Sequence, residues 1–247
     1  MSGRLQLAQT AADLLARIRR DKTRVHCLTN TVVQKFTADG LSALGASPSM
    51  TSNMEEIGDF AGRADALLVN LGTLDAQRRQ VIEAAISAVR DRAQPWVLDP
   101  VMCHLSPTRL SFAQALLRHG PAALRGNIAE ITALQPPNNV LVVETGIEDR
   151  ITGSGKAVTI SNGHPLMAAV TGTGCLSGAV LAAFLAVEPQ QPLLAAASAF
   201  LVIGVSAEIA AKHARGPGTF EPAFLDALAA VDLSELQALG RIDYAQG

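Results

Sequence analysis

Short apolar segments with β-strand character alternate with helical patterns along the first part of the chain, and this alternation restricts the possible folds. Aliphatic and β-branched residues predict strands at 25–28, 66–71, 96–98, 123–125 and 140–143. Helical periodicity predicts helices at 32–44, 54–64, 74–93 and 110–118. Such alternation predicts an α/β fold with a mainly parallel central sheet and helices on both faces. Ligands of these folds bind at the carboxyl ends of the strands.

Other patterns complete the secondary-structure prediction. Strand-like residues 149–151 and 157–160 flank Thr152-Gly153-Ser154-Gly155, which predicts a β-hairpin with a glycine-containing turn. The C-terminal third is predicted to be nearly all helix, and the amphipathic N-terminus to be an ordinary first helix rather than a signal peptide. No repeat or long linker divides the chain, so we expect one domain over residues 1–247.

Charge and cysteine content limit the partners and the compartment. The formal net charge is -2 and neither sign forms a long block, so we expect no nucleic-acid partner. Cys27, Cys103 and Cys175 are odd in number and widely spaced, which argues against a disulfide framework or a zinc cluster and indicates a cytoplasmic protein. The apolar stretch 192–207 is shorter than the roughly 18 to 20 residues of a membrane span. We therefore predict a buried helix there, no membrane partner, and small-molecule chemistry.

The segment Gly172-Thr173-Gly174-Cys175 precedes a helical stretch at 176–187 and is the strongest candidate for a binding site. Glycines let backbone NH groups approach a ligand closely, and the first turn of a helix adds unpaired NH donors and the positive end of its dipole. Such a segment suits a phosphate group, with the nucleophilic side chain of Cys175 beside it. The structural alternative is a glycine-rich turn before a buried helix.

Polar residues follow several of the predicted strands. Asp99, Arg125 and Thr145 each lie at a strand end, and Glu130 lies shortly after Arg125. Because the carboxyl ends of parallel strands meet at one edge of a sheet, we expect these side chains to converge. Arginine would bind phosphate charge, and the glutamate would hold a hydrated Mg²⁺ ion. Together with the glycine segment, the set predicts phosphoryl transfer.

Each of these residues also has a structural interpretation. Asp99 followed by proline is a common start of a turn. Asn127 and Glu130 have the spacing of a helix capping box, which by itself explains both residues. Thr145 with its following glycine fits a simple exit from a strand. The functional interpretation rests on the convergence of all these residues at one edge.

Seven segments, spread from the first predicted strand to the final helices, recur together in one known family. They are 25–30 (VHCLTN), 43–50 (ALGASPSM), 70–74 (NLGTL), 98–101 (LDPV), 125–127 (RGN) with Glu130, 162–167 (NGHPLM) and 171–175 (TGTGC). Their order and approximate spacing resemble those of the hydroxyethylthiazole kinase family. The most specific part is the asparagine-glycine-histidine-proline segment before the cysteine-ended glycine loop, and the resemblance covers nearly the whole chain.

The resemblance implies a ribokinase-like α/β fold that transfers the γ-phosphate of ATP to the hydroxyl of 4-methyl-5-(2-hydroxyethyl)thiazole, a salvage step toward thiamine. It also implies a Mg²⁺ ion and a homotrimer with substrate pockets near the subunit boundaries. By position it assigns the thiazole to Asn30, Met50 and Gly172, the nucleotide to Arg125, Thr145, Thr173 and Gly174, the Mg²⁺ ion to Asp99 and Glu130, and a place beside the substrate hydroxyl to Cys175. Whether Cys175 accepts the hydroxyl proton or only orients the alcohol stays open, because a helix N-terminus favours the thiolate and nearby phosphates oppose it.

Three stretches depart from the family pattern. Met102-Cys103-His104 replaces a small, glycine-rich sequence and is expected to narrow the mouth of the active site. The stretch between Leu134 and Val140 is short, so we expect one surface helix to be missing. Glu144 stands at a usually apolar position, where its carboxylate would repel a triphosphate unless it faces away or binds a cation. On that basis Glu144→Val is predicted to tighten ATP binding.

Two other functions fit the same pattern. One is a ribokinase-like kinase of another small alcohol, in which the residues of the thiazole pocket would differ. The other is a catalytically weak homologue that binds a thiazole for regulation or assembly, against which the charged residues and Cys175 argue.

The histidines are expected to be structural. His26 is predicted to be a satisfied core or strand-end group, and His164 to hold the glycine loop through a hydrogen bond. His104 has no metal-ligand spacing to the other histidines.

Overall fold

The strands pair into one nine-stranded sheet in the computed structural model, which describes residues 2–246. They are β1 (Arg24–Leu28), β2 (Ser47–Ser49), β3 (Ala66–Asn70), β4 (Trp96–Asp99), β5 (Ala123–Asn127), β6 (Leu141–Thr145), β7 (Asp149–Gly153), β8 (Lys156–Ile160) and β9 (Ile242–Gln246). Their order in the sheet is β2-β1-β3-β4-β5-β6-β7-β8-β9. Neighbours from β2 to β6 run parallel and those from β6 to β9 run antiparallel, so the predicted mainly parallel sheet is confirmed.

Helices cover the sheet on both faces, as predicted. In chain order they are α1 (Ser2–Asp21), α2 (Gln34–Leu44), α3 (Ile57–Arg63), α4 (Ala76–Arg90), α5 (Pro107–Leu117), α6 (Ile128–Leu134), α7 (Leu166–Ala169), α8 (Thr173–Val187), α9 (Pro192–His213), α10 (Pro217–Ala230) and α11 (Leu233–Leu239). The larger hydrophobic core lies between the sheet and α1, α2 and α8 to α11. The smaller core lies on the other face, beneath α3 to α6.

Helices α8 and α9 are buried on nearly every side, since their small and aliphatic residues pack against the sheet and against neighbouring helices. By length and composition alone α9 could cross a membrane, but 78% of its most apolar window is buried inside the protein. The predicted buried helix at 192–207 is therefore confirmed, and it continues to His213.

Local sequence signals explain several element ends. Ser154 and Gly155 have φ values of 52° and 70°, the left-handed pair that a two-residue hairpin turn requires, so the predicted hairpin of β7 and β8 is confirmed. Helix α5 begins at Pro107 rather than at residue 110. The reason is that Ser106 Oγ accepts the NH of Arg109 at 3.3 Å and that proline suits the first helical turn. Between α6 and β6 the described chain has no helix, which agrees with the short stretch at 134–140.

Two strands are absent from the sequence prediction, and both lie at edges of the sheet. Strand β2 has three residues, one of them a proline, and among the described strands it pairs with β1 alone. Strand β9 lies in the C-terminal third that the sequence predicts as nearly all helix, and it pairs only with β8. Short edge strands carry little periodicity of their own, because their pairing depends on a neighbour that is distant in sequence.

The parallel strands end at one edge of the sheet and bring polar side chains together there. Asn70 of β3 lies opposite Asp99 of β4 in the sheet, and Asn127 of β5 lies opposite Thr145 of β6. Asn30 follows β1 and accepts the NH of Val32 at 3.1 Å, which caps a short 3-10 turn. The predicted convergence at the carboxyl edge is therefore confirmed.

His26 of β1 is fully buried, and both of its ring nitrogens are bonded, as predicted for a core histidine. Nε2 lies 3.0 Å from the carbonyl oxygen of Thr51, which can only accept, so Nε2 carries the proton. Nδ1 then accepts from the hydroxyl of Ser49 at 2.8 Å. These two bonds hold the chain on either side of Met50.

We expect His26 to make the protein acid-sensitive. Burial lowers the pKa of His26 from 6.5 to about 4, so the unfolded chain binds this proton at a higher pH than the folded chain. Stability is therefore lost as the pH falls from 6.5 toward 4, by about 3 kcal/mol in total. Urea unfolding at pH 7 and pH 4 should show this extra loss for the wild type relative to His26→Gln, which keeps a donor and an acceptor but does not titrate. Equal losses in the two proteins would exclude this role.

Candidate active site

Asn70 connects two of the predicted site residues. This buried side chain at the end of β3 donates from Nδ2 to Asp99 Oδ2 at 2.9 Å and to Cys175 Sγ at 3.2 Å. Its Oδ1 accepts the NH of Gly72 at 3.0 Å, which fixes the orientation of the amide. Asn30 Nδ2 lies 3.7 Å from the same sulfur. A single amide therefore bridges Asp99 and Cys175, which come from separate sequence motifs.

Burial dominates the electrostatics of this pair. Asp99 is 1% exposed, and burial raises its pKa to about 6 although the charge of Arg125 opposes the shift. Burial, together with the charge of Asp99, raises the pKa of Cys175 to about 11. At neutral pH the thiol is therefore protonated and the carboxylate beside it is mostly ionised.

Arg125 presents a buried guanidinium with unused donors. Its side chain is 15% exposed, and its Nη1 lies 3.6 Å from Asp99 Oδ2. Its Nε is buried and has no hydrogen-bond partner among the described residues. A Cβ placed on Gly174 would lie 3.0 Å from both Nη1 and Nη2, so the guanidinium rests against the backbone of the glycine segment. A cation in this state has capacity to bind an anion.

The N-terminus of α8 is open for a ligand. Gly172 is its N-cap, with φ at 103°, and no hydrogen bond from a described side chain caps this end. The first intrahelical bond at this end runs from the NH of Leu176 to the carbonyl of Gly172, so the NH groups before Leu176 have no acceptor within the helix. Thr173 Oγ1 instead donates to the carbonyl of Met167 at 2.7 Å. Together with Arg125, this end of α8 has the donors and the charge that an anion would require, so it is the candidate for the anion site that the glycine segment predicts.

One cavity of about 690 Å³ adjoins this anion site. Its wall contains all four residues predicted to contact a nucleotide, namely Arg125, Thr145, Thr173 and Gly174. Other parts of the wall come from segment 161–165 and from α9, and the volume lies in the range of small-molecule sites. We refer to this space as the large cavity.

Glu130 is held by backbone groups. Its Oε2 accepts the NH of Asn127 at 2.8 Å, and Asn127 Oδ1 accepts the NH of Glu130 at 3.0 Å, so the predicted capping box is confirmed. Its Oε1 accepts the NH of Met102 at 2.6 Å. The carboxylate is buried and close enough to Asp99 to add to the rise in the pKa of that residue.

The two carboxylates fit a Mg²⁺ ion but not a closed metal cage. The described residues contain no group of three or more histidine, cysteine or acidic side chains that could hold a metal. Mg²⁺ is usually held by one or two carboxylates, with substrate phosphates and water as its remaining ligands. Buried Asp99 with Glu130 nearby provides such a donor set.

The loop after β4, which contains Met102, Cys103 and His104, is anchored by two contacts. Met102 has a left-handed φ of 55°, and the buried Cys103 packs into the smaller core. His104 is exposed and lies in a short 3-10 turn. The cysteine and the bond from Met102 to Glu130 fix the loop beside the carboxylates.

Glu144 faces away from the large cavity, which is the exception that the predicted repulsion allowed. Side chains alternate along β6, and Glu144 lines a separate cavity together with Arg150 of β7 and Lys156 of β8. Thr145, the next residue, lines the large cavity. Two basic residues therefore accompany the carboxylate on the other face of the sheet.

We accordingly expect Glu144→Val to leave the KM for ATP unchanged within about twofold, as for a surface substitution away from the site. Steady-state kinetics at varied ATP would test this. A clear fall in KM would show that the carboxylate acts on the nucleotide through space.

Two of the residues predicted to bind the thiazole, Asn30 and Gly172, lie at the glycine segment. A Cβ on Gly172 would meet Val33 Cγ1 at 2.9 Å, so Gly172 packs against the turn that Asn30 caps. Asn30 contacts Cys175. Met50 follows β2 and is partly buried against the larger core.

His164 has a local structural role. Its Nδ1 accepts the NH of Leu166 at 3.2 Å, and its ring stacks on Phe220 with centroids 6.4 Å apart. The sequence predicts a hydrogen bond from His164 that holds the glycine loop. The observed bond instead joins His164 to Leu166 at the start of α7.

Comparison with known proteins shows which family this chain resembles. A model of the hydroxyethylthiazole kinase family matches residues 15–140 and 135–234. A "probable hydroxyethylthiazole kinase" of Agrobacterium fabrum is 53% identical over 247 residues, covering 100% of both chains. The solved structure of a hydroxyethylthiazole kinase protein from Pyrococcus horikoshii matches with a TM-score of 0.92 and 32% identity, covering 96% of this chain and 99% of that chain.

A more distant structure supports the fold alone. A ribokinase-like superfamily protein of Enterococcus faecalis matches with a TM-score of 0.62 and 15% identity over 88% of this chain and 93% of its own. The expected ribokinase-like architecture is therefore confirmed, and so is the resemblance carried by the seven sequence segments. The chain belongs to the hydroxyethylthiazole kinase family.

Proposed function

We propose that this protein transfers the γ-phosphate of ATP to the hydroxyl of 4-methyl-5-(2-hydroxyethyl)thiazole. The observation that carries the proposal is the buried guanidinium of Arg125, which has unused donors and lies against the open N-terminus of α8. Asn70, Asp99 and Cys175 are linked beside it by hydrogen bonds. A phosphoryl group held by the cation and the helix end would thus lie next to a polar cluster suited to an alcohol.

The large cavity is proposed to hold ATP. Arg125 and the NH groups of Thr173 and Gly174 would bind the phosphates, and Thr145 would contact the nucleotide from the end of β6. Because phosphoryl transfer needs little covalent help, alignment and neutralisation of charge on the phosphoryl oxygens are the main tasks of these groups.

The thiazole alcohol is proposed to lie on the other side of the glycine segment. Asn30, Met50 and Gly172 would contact the ring and place its hydroxyl beside Cys175. Since the pKa of Cys175 is raised to about 11, a neutral thiol is available at pH 7 to orient the hydroxyl by hydrogen bonding. We therefore assign Cys175 to orientation of the acceptor rather than to removal of its proton.

Asp99 and Glu130 are proposed to serve a Mg²⁺ ion that accompanies ATP. When bound, the ion would neutralise charge on the phosphate oxygens. Asp99 would face it directly, while Glu130, whose oxygens already accept two backbone NH groups, would act through water.

We further propose a homotrimer that works in the cytoplasm, in thiamine salvage. Cys27, Cys103 and Cys175 are buried and free, which suits a reducing compartment. Exposed apolar residues such as Val32, near the thiazole side, suit a contact between subunits. Sedimentation of the purified protein would give the oligomeric state.

A coupled ADP-release assay tests the proposed function. We expect ATP, Mg²⁺ and the thiazole alcohol to support turnover, with a higher kcat/KM than that of any other alcohol in a panel of small primary alcohols. Preference for another alcohol would indicate a different kinase of the same fold. ATP binding without release of ADP would indicate a weak, ligand-binding homologue.

A further inference from the structure

A polar cluster of Asn162, Glu208 and Arg241 joins three distant parts of the chain at the wall of the large cavity. Asn162 follows β8, Glu208 lies on α9, and Arg241 immediately precedes β9. Asn162 and Arg241 themselves line the cavity, together with Gly163 and His164. None of the three has a predicted role in the sequence.

Asn162 is the buried centre of the cluster. It is 3% exposed, and its Nδ2 donates to Glu208 Oε1 and to the carbonyl of Leu239, each at 3.0 Å. Its Oδ1 accepts the NH of Arg241 at 2.7 Å. Glu208 Oε1 also accepts the NH of Gly163 at 3.0 Å. Both groups of the amide are therefore satisfied, and the loop cannot shift without exposing or breaking them.

Arg241 closes the cluster from the C-terminal side. Its Nη1 and Nη2 contact Glu208 Oε2 at 3.1 Å and Oε1 at 2.5 Å in a two-point ion pair. Its Nε and Nη2 also donate to the carbonyl of Ser161 at 3.2 Å and 2.6 Å. Because Arg241 is half exposed, the ion pair alone contributes little. Its main effect is to hold the backbone of Ser161 at a fixed distance from α9.

Helix α9 is shaped to receive this loop. A Cβ placed on Gly204 would lie 2.6 Å from Asn162 Cβ and 2.7 Å from its carbonyl oxygen. Glycine at this position therefore lets the helix approach the loop closely, one turn before Glu208 on the same face. Helix α9, segment 161–165 and Arg241 together form one wall of the cavity.

We infer that the Asn162–Glu208–Arg241 cluster is a positioning device that fixes segment 161–164 for nucleotide binding and so sets the affinity for ATP. The inference rests on the proposed function for the placement of ATP in the large cavity. Ordering a loose segment on binding costs free energy, and a segment that is already fixed avoids this cost. Loss of the cluster therefore weakens ATP binding. Loss of the cluster should leave the proposed thiazole side unchanged. That side is formed by Asn30 after β1 and Asn70 at the end of β3, which both contact Cys175.

The test compares Arg241→Ala, Glu208→Ala and Glu208→Gln with the control Arg4→Ala. Arg4 also holds the C-terminal region, through the carbonyls of Gln237 and Ala238 at 3.3 Å and 3.2 Å, but it does not line the cavity. Calorimetric titration with MgATP in the absence of the alcohol gives the Kd, and kinetics give both KM values and kcat. We expect the alanine variants in the cluster to weaken ATP binding about tenfold, with kcat and the KM for the alcohol within about twofold of wild type.

Glu208→Gln keeps an acceptor for Asn162 and Gly163 but loses the ion pair, so we expect an intermediate effect. If an alanine variant melts at a much lower temperature, the ATP affinity of Glu208→Gln is used for the test instead. Unchanged ATP affinity in a folded cluster variant, or equal losses for ATP and the alcohol, would overturn the inference, as would a loss in Arg4→Ala of the same size. If the wild type binds ATP but does not phosphorylate the alcohol, the proposed function is refuted. The Kd values for ATP of the cluster variants would then still test whether the cluster sets ATP affinity.

Discussion

Arg125→Ala is expected to lower kcat/KM for ATP by about 100- to 1,000-fold, the loss typical of removing a preorganised charge from a developing transition state. The guanidinium is buried, carries an Nε without a partner among the described residues, and lies against Gly174 at the open end of α8. Its removal takes away the cation at the position proposed for the transferred phosphoryl group. It also leaves Asp99 without its ion-pair partner, so the melting temperature is to be measured in parallel.

Arg125→Lys separates the charge of Arg125 from its shape, and Arg150→Ala is the control. Arg125→Lys keeps a positive charge but loses the planar fork of donors, so we expect part of the activity to return. Arg150→Ala removes an arginine on the other face of the sheet, beside Glu144, and should behave as wild type. An Arg125→Ala protein that is folded and retains most of its kcat/KM for ATP would show that the phosphates bind elsewhere.

Gly172→Ala is expected to lower activity about 100-fold, as for a displacement of about 1 Å at an aligned site, and to destabilise the fold. Gly172 has a left-handed φ of 103°, which costs alanine roughly 1 to 2 kcal/mol. The added Cβ would also lie 2.9 Å from Val33 Cγ1 and 3.1 Å from Phe36 Cδ1, so the N-terminus of α8 or the turn after β1 has to move. Movement of α8 displaces Gly174 and Cys175 from Arg125 and Asn70, and movement of the turn displaces Asn30 from Cys175.

Gly120→Ala is the matched control for this change. Gly120 also has a left-handed φ, at 71°, but a Cβ there would meet nothing within 4 Å. Alanine there should also be destabilised by the left-handed backbone, but the variant should keep full activity. Measurement of kcat and of the free energy of unfolding for both variants separates backbone strain from displacement of the site. Equal kinetics in the two variants would contradict a role for the close packing at Gly172.

The central part of the fold could be predicted because its signals are local. Strands β3 to β6 are short apolar runs, each followed by a helical pattern or a turn, and the hairpin turn carries its own glycine signal. Strands β2 and β9 escaped prediction because their pairing with β1 and β8 comes from tertiary structure. The earlier start of α5 had a local signal in Ser106 and Pro107, namely a capping residue followed by proline.

The residues of the candidate site also differ in whether a local sequence signal reveals them. Asp99 and Thr145 could be found because each ends a strand whose position at the carboxyl edge follows from the parallel sheet. Arg125 could be found from the same signal, although β5 continues two residues beyond it to Asn127. Asn70 has the same signal, a polar residue near the end of an apolar strand, but as an amide it suggests no chemistry until its bonds to Asp99 and Cys175 are seen.

The cluster at the cavity wall could not be predicted from the sequence, although Asn162 begins one of the segments that carry the family resemblance. Asn162 and Arg241 are separated by 79 residues and meet because β9 pairs with β8. Glu208 lies on a helix whose apolar composition indicates only burial. Contacts of this kind follow from the packing of the C-terminal strand, which local periodicity does not report.

Identification of the phosphorylated product tests the central claim most directly. The purified protein is incubated with ATP, Mg²⁺ and 4-methyl-5-(2-hydroxyethyl)thiazole, and the mixture is followed by phosphorus NMR and mass spectrometry. We expect one phosphate monoester of the thiazole alcohol for each ADP formed, and a strong loss of both products in Arg125→Ala. Formation of ADP with inorganic phosphate but no ester, or no reaction by folded protein that binds ATP, would contradict the proposed phosphoryl transfer.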